Sequence, residues 1–315
     1  MAKRKKKISP VFLILFCILI IACLLITASS YKLLPDFIPS WESLLGASKS
    51  SNQIDFDDSL TTKVHFVDCG QGDCEVIISD DIVTVIDTGP KSSADKVFEY
   101  IKGLDIKRID NLVLTHPHED HIGGAVKLIE NFEIGKIYMS RPKENTAPST
   151  KVYLNLLTTI SNKDLSITTA KSDMYFDAGD FRMSILSPAK DYDELNDQSV
   201  VIHAVFDEIS FLFTGDAETA PCDDMQNSYY SQLKSTVLKV GHHGSNTSTK
   251  SRFLKAVSPE YAVISCAEDN DYGHPHGNVL KLLEKQNTKV YRTDLHGTVV
   301  FATDGKTLEI KTEKN

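Results

Sequence analysis

The sequence is poor in cysteine and tryptophan, and it lacks an excess of positive charge beyond its first residues. Six cysteines and one tryptophan in 315 residues exclude a small disulfide-stapled scaffold. Residues 33–315 hold 28 basic residues (34 − 6) against 43 acidic ones, a net charge of −15. A body of that charge does not hold a polyanion through its overall field, so a nucleic-acid or wall-polymer substrate would need a local cationic site. The composition, 41% hydrophobic and 24% charged, also excludes a disordered chain and a polytopic membrane protein.

The N-terminus predicts a single membrane anchor. Residues 1–10 form a basic tail, with five consecutive basic residues at 3–7, and residues 11–28 are apolar except for Thr27. At 1.5 Å per residue an 18-residue helix spans about 27 Å, close to the thickness of a hydrocarbon core. Since positive charge stays on the cytoplasmic side, we expect the remainder of the chain outside the cell membrane.

Two other interpretations of this end stay open. Residues 20–23 resemble the lipobox of bacterial lipoproteins, with Cys23 as the lipidated residue, although the apolar run continues after it. A cleaved signal peptide is the third, but its apolar region usually has about 7–15 residues. All three place the body outside the membrane, connected through a linker at 29–61 that is rich in proline, serine and acidic residues.

Residues 62–315 predict one α/β layered domain. Short apolar runs, typical of strands, alternate with stretches of helical periodicity. The strands are expected at 63–67, 74–78, 82–86, 111–115, 137–139, 183–186, 200–206, 210–213, 237–240, 262–265 and 290–292. The helices are expected at 94–103, 122–131, 251–257 and 279–286. A closing hairpin at 298–302 and 308–311 is indicated by Asp304-Gly305, a strong turn signal.

The segment THPHEDH at 115–121 carries the strongest chemical signal. His116 and His118 are two residues apart, so in extended chain both imidazoles project to one side. Asp120 and His121 then enter a helix, where Gly123 and the glycine after it permit close packing. One nitrogen pair and one oxygen–nitrogen pair suit two adjacent ions, and zinc accepts both imidazole and carboxylate.

This segment resembles the HxHxDH motif of the metallo-β-lactamase superfamily, whose fold is a four-layer αββα sandwich with a two-metal site at one sheet edge. Other signatures follow in order: Asp87 in the run IDTG, Asp216 in TGDAE and His242 in GHHGS. The run VDCGQGDC at 67–74 and the run YGHPH at 272–276 narrow the resemblance to the ComEC-type branch, the extracellular hydrolase domain of competence proteins. The likeness covers roughly residues 62–312.

The chain departs from that branch in three ways. Cys69 and Cys74 replace a valine and a serine, and whether they are bridged is open. The many membrane spans of a ComEC channel are absent from this sequence, so we do not expect these residues to transport DNA by themselves. The third histidine of better-known superfamily members is missing; His203 lies nearby, but we interpret it as an outward histidine on a half-buried strand.

The resemblance implies a role for each matching residue. His116 and His118 would hold one ion, and Asp216 would bridge to the other. The second ion would be held by Asp120, His121 and His242. Asp87 would orient a metal-bound histidine or water, while His243 and His276 would contact substrate; a plain turn at 274–276 is the alternative for His276. We favour His242 over His243 as the ligand because it lies nearer the strand end. The catalytic residues predicted in this way are Asp120, Asp87, His276 and His243.

The expected function is that of a membrane-anchored extracellular hydrolase with two divalent ions, zinc preferred and manganese the alternative. A two-metal site lowers the pKa of water and neutralises phosphoryl oxygens, which favours a phosphodiesterase acting on DNA or a cell-wall phosphopolymer. Tight nonspecific binding of nucleic acid is not expected. The alternatives are a lactonase or β-lactamase and a non-catalytic binding protein on the same fold; the oligomeric state stays open.

Overall fold

The computed structural model describes residues 16, 20–22, 24–25, 56–57 and 59–314. The predicted basic tail, most of the predicted anchor at 11–28 and most of the linker at 29–61 lie outside the described residues, so these three assignments stay predictions. Residues 16, 20–22 and 24–25 are helical. Within the described ranges, no helix combines the length and the apolarity that a membrane span requires.

Two mixed sheets contain the fifteen strands described between residues 62 and 312. The first sheet has the order β15-β14-β1-β2-β3-β4-β5-β6 and the second β13-β12-β11-β10-β9-β8-β7. The strands are β1 Thr62–Phe66, β2 Glu75–Ser79, β3 Ile82–Ile86, β4 Arg108–Leu114, β5 Glu133–Met139, β6 Ile167–Thr169, β7 Tyr175–Ala178, β8 Phe181–Ser187, β9 Val201–Phe206, β10 Ile209–Phe213, β11 Val237–Lys239, β12 Tyr261–Ile264, β13 Lys289–Arg292, β14 Val299–Thr303 and β15 Leu308–Thr312.

Helices cover the outer faces of both sheets. The α-helices are α1 Ala94–Gly103, α2 Glu119–Ile122, α3 Ala125–Asn131, α4 Lys151–Asn162, α5 Thr219–Tyr229, α6 Ser251–Val257, α7 Gly277–Lys285 and α8 Thr293–His296. Apolar residues of α1, α3 and α4 pack on the first sheet in one cluster. A separate cluster joins α5, α6 and α7 to the second sheet. The expected αββα layering is therefore confirmed.

The core between the sheets is aromatic. The Phe66 ring stacks on Phe213 across the sandwich, with ring centroids 5.9 Å apart, and Phe211 meets Phe301 edge to face at 5.8 Å. All four side chains are at most 1% exposed. Burial of a phenylalanine stabilises a fold by about 1.5–3 kcal/mol, so this interface fixes the sheets against each other.

The strand directions place loops from both sheets at one edge of each. In the first sheet β3, β4, β5 and β6 are parallel, and in the second β10, β11, β12 and β13 are parallel. Ligands in open α/β sheets bind beyond the carboxyl ends of such strands. The segment 115–121 follows β4 and the TGDAE run follows β10, so the predicted site residues lie on this side of both sheets.

The single helix predicted at 122–131 is wrong, because the structure breaks it into α2 and α3 at Gly123 and Gly124. A Cβ on Gly123 would lie 2.1 Å from the Lys91 backbone nitrogen, and one on Gly124 would lie 2.5 Å from the Thr88 carbonyl oxygen. The two glycines therefore let α2 approach the 88–91 loop closely. This approach holds the helix that carries Asp120 and His121 against the first sheet.

Several elements lie outside the sequence predictions. The helices α4, α5 and α8 and the short strands β6 and β7 were not expected from the pattern. The other predicted strands and helices occur within a few residues of their expected bounds. The closing hairpin is present as β14 and β15, and Asp304 Oδ1 accepts backbone hydrogen bonds from Lys306 and Thr307 in its turn.

Candidate metal centre

The carboxylate of Asp216 lies at the middle of a group of imidazoles. Asp216 Oδ2 is 3.3 Å from His121 Nε2, 3.7 Å from His242 Nε2 and 3.8 Å from His116 Nε2. Its other oxygen, Oδ1, is 3.7 Å from His243 Nε2. The structure thus brings residues 116–121, 216 and 242–243 together from loops of both sheets.

Four of these residues form a compact cluster with the geometry of an ion site. One ligand atom from each of Asp120, His121, Asp216 and His243 lies within 4.8 Å of every other. His121 Nε2, His243 Nε2 and Asp216 Oδ1 are buried and have no hydrogen-bond partner. An unpaired buried polar atom costs about 1–3 kcal/mol, so three converging on one point need a compensating ligand. The donor set of imidazole nitrogen and carboxylate oxygen fits zinc or another borderline divalent ion.

His116 and His118 lie beside this cluster, with the His116 ring centroid 4.1 Å from that of His121. Their nearest ring nitrogens, His116 Nε2 and His118 Nδ1, are 3.0 Å apart, and the His116 side chain is fully buried. Burial, together with the neighbouring His121, lowers the pKa of His116 well below its usual range. Burial also lowers the pKa of His118. Both imidazoles are therefore held in the neutral form, which is the form that binds metal ions.

In the metal-free cluster, the carboxylates determine which histidines are protonated. Burial opposes protonation of His121, but Asp216, Asp87 and Asp120 outweigh it and raise the pKa of His121 well above its usual range. Burial likewise opposes ionisation of Asp216, while His121 and His243 hold its pKa well below the usual range. A divalent cation would replace these protons, so metal binding would release them.

Asp87 lies behind His121, as the sequence predicts for an orienting carboxylate. Its Oδ2 accepts from His121 Nδ1 at 2.7 Å and from the Thr115 hydroxyl at 2.6 Å, and its Oδ1 accepts from the Thr115 backbone N–H at 2.8 Å. These bonds turn His121 Nε2 toward Asp216. Carboxylate–histidine pairs of this kind fix the ring orientation and the tautomer of metal ligands.

A second carboxylate, Asp73, lies behind His243, and sequence analysis did not identify it as a site residue. Asp73 Oδ1 is 3.3 Å from His243 Nδ1, which also contacts the Ser265 carbonyl oxygen at 2.9 Å. Asp73 Oδ2 accepts from the Lys239 ammonium at 2.7 Å, and both side chains are 1% exposed. Burial opposes ionisation of Asp73, but Lys239 and then His243 lower its pKa to about 2. The signal was present in the glycine-rich run at 70–73 and in the lysine three residues before the histidine pair.

The backbone of the histidine pair decides which ring enters the cluster. His242 and His243 both have left-handed φ angles, 48° and 53°. His243 is 2% exposed and belongs to the four-residue cluster, whereas His242 has a side-chain exposure of 23% and contacts Glu218 Oε1 at 3.0 Å through Nδ1. The structure therefore brings His243 into the ligand cluster and leaves His242 at the rim, within reach of Asp216. The preference for His242 rested on its position nearer the end of β11, but the left-handed turn that follows this strand brings the next residue into the cluster.

The predicted substrate contact His276 lies outside the cavity lining, and His274 occupies that place. His276 Nδ1 accepts from the Asn246 backbone N–H at 3.2 Å, and its ring centroid is 5.0 Å from that of His274. The His274 ring is 5.4 Å from His242 and stacks on Tyr272, which is 66% exposed. His276 was predicted from its place in the YGHPH run; in the structure it is the N-cap residue of α7, and its side chain makes no capping hydrogen bond.

Two further sequence assignments have clear places. Ser199, at the end of the run NDQS at 196–199, accepts from the Asp216 backbone N–H at 3.1 Å and lies 3.4 Å from His116 Nδ1, so it joins the two ligand loops. His203 sits on β9 opposite Ser184 and Leu212, away from the cluster. Cys69 and Cys74 are both buried free thiols. Burial raises the pKa of both.

An open cavity of about 800 Å³ leads to the centre. It is wide enough for a substrate larger than a single phosphate group. The metal-facing wall is formed by His118, Asp120, Asp216, His242, His243 and His274, and the outer wall by Cys69, Gly70, Gln71, Pro90, Ser92, Ser93, Pro117, Glu119, Pro148, Thr150, Leu195, Asn196 and Tyr272.

Solved structures with this fold support the architecture. CmlA, a diiron beta-hydroxylase from Streptomyces venezuelae, aligns with a TM-score of 0.53 and 13% identity over 77% of this chain and 54% of its own. Igni18, a metallo hydrolase from Ignicoccus hospitalis, aligns with a TM-score of 0.50 and 19% identity over 77% of this chain and all of its own. At these identities the likeness concerns the fold alone.

Curated relatives are competence proteins. The chain is 30% identical over 263 residues to ComE operon protein 3 of Bacillus subtilis, covering 76% of this chain and 33% of the relative. It is 31% identical over 299 residues to the competence protein ComA of Neisseria gonorrhoeae, covering 93% of this chain and 40% of the relative. The chain thus spans a third to two fifths of the length of these relatives. A family model described as the metallo-beta-lactamase superfamily matches residues 67–268. The chain therefore belongs to the metallo-beta-lactamase superfamily and is related to the competence proteins of the ComEC type.

Proposed function

We propose that the chain is a metal-dependent phosphodiesterase whose hydrolase domain lies outside the cell membrane. The observation that carries the proposal is the central position of Asp216, with one carboxylate oxygen or the other within 3.8 Å of four imidazoles. A carboxylate in that position can bridge two ions. Two-metal sites of this type clamp both the attacking and the leaving oxygen of a phosphoryl displacement.

The ligand set follows from the distances. Asp120, His121 and His243 would hold one ion, His116 and His118 the other, and Asp216 both. When bound, the ions supply an activated water and neutralise negative charge on the substrate. Zinc is the proposed metal and manganese the alternative. Asp87 orients His121 through the Nδ1 atom of that histidine. The Ser265 carbonyl oxygen accepts from His243 Nδ1, with Asp73 Oδ1 3.3 Å away, and these contacts keep each Nε2 directed at the centre.

The rim residues would bind the substrate. His242, with a side-chain exposure of 23%, and the buried His274 both line the cavity, and a ring N–H can donate a hydrogen bond to a phosphoryl oxygen. Burial and the neighbouring histidines His242 and His243 lower the pKa of His274 to about 4. His274 is therefore neutral at physiological pH, so it would position the substrate through one N–H without a charge of its own.

The location outside the membrane is supported by the sequence alone. The apolar run at 11–28 follows a tail with five consecutive basic residues, and this order favours a cytoplasmic tail and an external body. We propose a single-pass anchor at these residues. A lipid anchor at Cys23 or a cleaved signal would give the same side.

The test is metal content and hydrolysis of bis(p-nitrophenyl) phosphate by the full chain, purified in a mild detergent. About two transition-metal ions per chain and hydrolysis are expected, with both lost in a His116→Ala/Asp216→Ala variant. His203→Ala is the matched control, since this histidine lies away from the centre, and it should retain both. Bound metal without phosphodiester cleavage would favour a lactonase or β-lactamase, and absence of metal would favour a binding protein.

A further inference from the structure

The sheet edge that carries the metal centre continues across two more parallel strands. Leu114, the last residue of β4, lies opposite Met139, the last residue of β5. Met139 in turn lies opposite Thr169, the last residue of β6. The three strands therefore end level with one another, and the chain that follows each of them emerges at the same edge.

Each of these strand ends is followed at the second position by a residue that can contact phosphate or metal. His116 follows β4, Arg141 follows β5 and Lys171 follows β6. Neighbouring strands in a sheet are about 4.8 Å apart. Arg141 thus emerges one strand beyond the ligand histidine and Lys171 two strands beyond it, so the edge presents metal ligands and then two cationic side chains in a row.

Arg141 and Lys171 line a cleft of about 580 Å³. Two further cationic residues line it, but Lys143 pairs with Asp193 and Lys190 pairs with Asp224. Arg141 and Lys171 are exposed, and neither forms an ion pair within the part of the chain that the structure describes. The other residues of the lining are Pro142, Glu144, Thr169, Ala170, Pro188, Ala189, Asp191 and Gln198.

The cleft and the metal cavity are lined by different residues of the same two segments. The segment that follows β5 lines the cleft at 141–144 and the metal cavity at Pro148 and Thr150. The segment 188–198 does the same from the second sheet, through Pro188 in the cleft and Leu195 in the cavity. Both segments are tied to one atom, the Thr115 carbonyl oxygen, which accepts from the Ser140 hydroxyl and the Val200 backbone N–H. Thr115 directly precedes the first ligand histidine.

We propose that this cleft is a second phosphate subsite, in which Arg141 and Lys171 bind phosphates of a polymeric phosphodiester next to the one at the metal centre. The inference rests on the proposed function and extends it, because it makes a polyphosphodiester chain, rather than a small diester, the substrate class. Arginine binds phosphate through two parallel N–H donors and lysine as a point charge. Because residues 33–315 have a net charge of −15, a polyanionic substrate needs a local cationic site. Arg141 and Lys171, which form no ion pair among the described residues, provide such a site.

The experiment compares an Arg141→Ala/Lys171→Ala variant with a Lys107→Ala/Lys163→Ala control in the full chain. The control also removes two exposed cations from the same half of the molecule, but Lys107 precedes β4 and Lys163 precedes β6, at the opposite edge of the sheet. Binding is measured by fluorescence anisotropy on protein kept metal-free with a chelator, using a labelled 12-nucleotide single strand and a labelled glycerol phosphate oligomer. Hydrolysis of bis(p-nitrophenyl) phosphate is measured on the metal-loaded protein.

The expected result is about ten-fold weaker binding of oligomer by the cleft variant, with a salt-dependence slope smaller by roughly 1.4, the value for two phosphate contacts with a single strand. Hydrolysis of the small diester should stay within about two-fold, since it has no second phosphate. A loss with both oligomers supports a subsite that binds phosphate alone, and a loss with one of them identifies the polymer. Binding equal to that of the control, or an equal loss on the small diester, would overturn the subsite. Because the binding arm needs no catalysis, its result is independent of whether the chain is a phosphodiesterase.

Discussion

The buried ion pair between Lys239 and Asp73 gives the sharpest stability prediction. The Nζ–Oδ2 distance is 2.7 Å and both side chains are 1% exposed. At this distance and an effective dielectric constant of about 20, the Coulomb attraction is about 6 kcal/mol. Desolvation of the two charges offsets much of it, so the net value of the pair is small. Removal of one partner destabilises the fold by about 3–5 kcal/mol, because it leaves the other charge buried and unpaired.

We therefore expect Lys239→Met to lower the free energy of unfolding of the full chain by about 4 kcal/mol. Asp73→Asn/Lys239→Met, which removes both charges, should recover at least half of that loss. The measurement is urea unfolding followed by far-UV circular dichroism, with a chelator present so that metal binding does not contribute to the stability.

The control is the exposed pair of Lys96 and Asp68, at a nitrogen–oxygen distance of 3.0 Å with Lys96 55% exposed. Lys96→Met should cost less than about 1 kcal/mol, the usual limit for a surface pair. The two pairs have similar nitrogen–oxygen distances and differ mainly in burial, so the comparison tests the effect of burial. The reasoning is refuted when Lys239→Met costs no more stability than Lys96→Met. It is also refuted when the loss of stability in Asp73→Asn/Lys239→Met equals the sum of the losses in Asp73→Asn and Lys239→Met.

Three further outcomes follow from the same contacts. Asp216→Asn should weaken zinc binding by more than the roughly 10–100-fold typical of an outer residue, measured by equilibrium dialysis, and an affinity within ten-fold of the parent chain would contradict the bridging role. Gly123→Ala should destabilise the fold by about 1–3 kcal/mol in thermal unfolding, although alanine favours a helix, because its Cβ would lie 2.1 Å from the Lys91 nitrogen. Burial, and then Lys63, lower the pKa of His65 from 6.5 to about 3, so the unfolded chain binds more protons between these values. Stability should thus fall as the pH drops from 6.5 toward 3, by up to about 5 kcal/mol, and His65→Asn should flatten this part of the stability curve, a change that unfolding at stepped pH would detect.

The local parts of the centre could be predicted from the sequence, because they depend on short spacing. The segment 115–121 follows an apolar strand and carries its ligands within one loop and one helical turn. Asp87 and Asp216 each follow a strand in a short motif. Parallel strands place their carboxyl ends at one edge, so the meeting of these loops needed only the fold class.

The parts that depend on the docking of the two sheets could not be predicted in this way. Lys239 lies on β11 of the second sheet and meets Asp73 from the β1–β2 loop of the first, and nothing in either local pattern specifies that contact. The choice of His243 depends on two consecutive left-handed backbone angles, which reverse the alternation that a strand would give. In a similar way, the turn before α7 directs His274 into the cavity and uses His276 as the helix cap.

Two of the helices that were not predicted, α4 and α5, differ in how clearly their sequences indicate a helix. The helix α4 has apolar residues at Val152, Tyr153, Leu156, Leu157 and Ile160, which is helical spacing, so that signal was available and was missed. The helix α5 contains a proline, two aspartates and an asparagine, and its buried residues include Cys222 and Gln226. Its position is determined mainly by packing on the second sheet, which a single-sequence pattern does not reveal.

The distance along the chain between Asp73 and Lys239 has a consequence for biosynthesis. The two residues are 166 positions apart, so a ribosome adding about 5–20 residues per second makes the aspartate roughly 10–30 s before the lysine. During that interval the strands β1 to β6 can form, but the carboxylate at their edge has no cation. The proposed ligands Asp216 and His243 are also made late, so the full ligand set exists only once these loops of the second sheet have been synthesised. A nascent chain arrested before β11 would be translated through most of its length and still have no complete metal site.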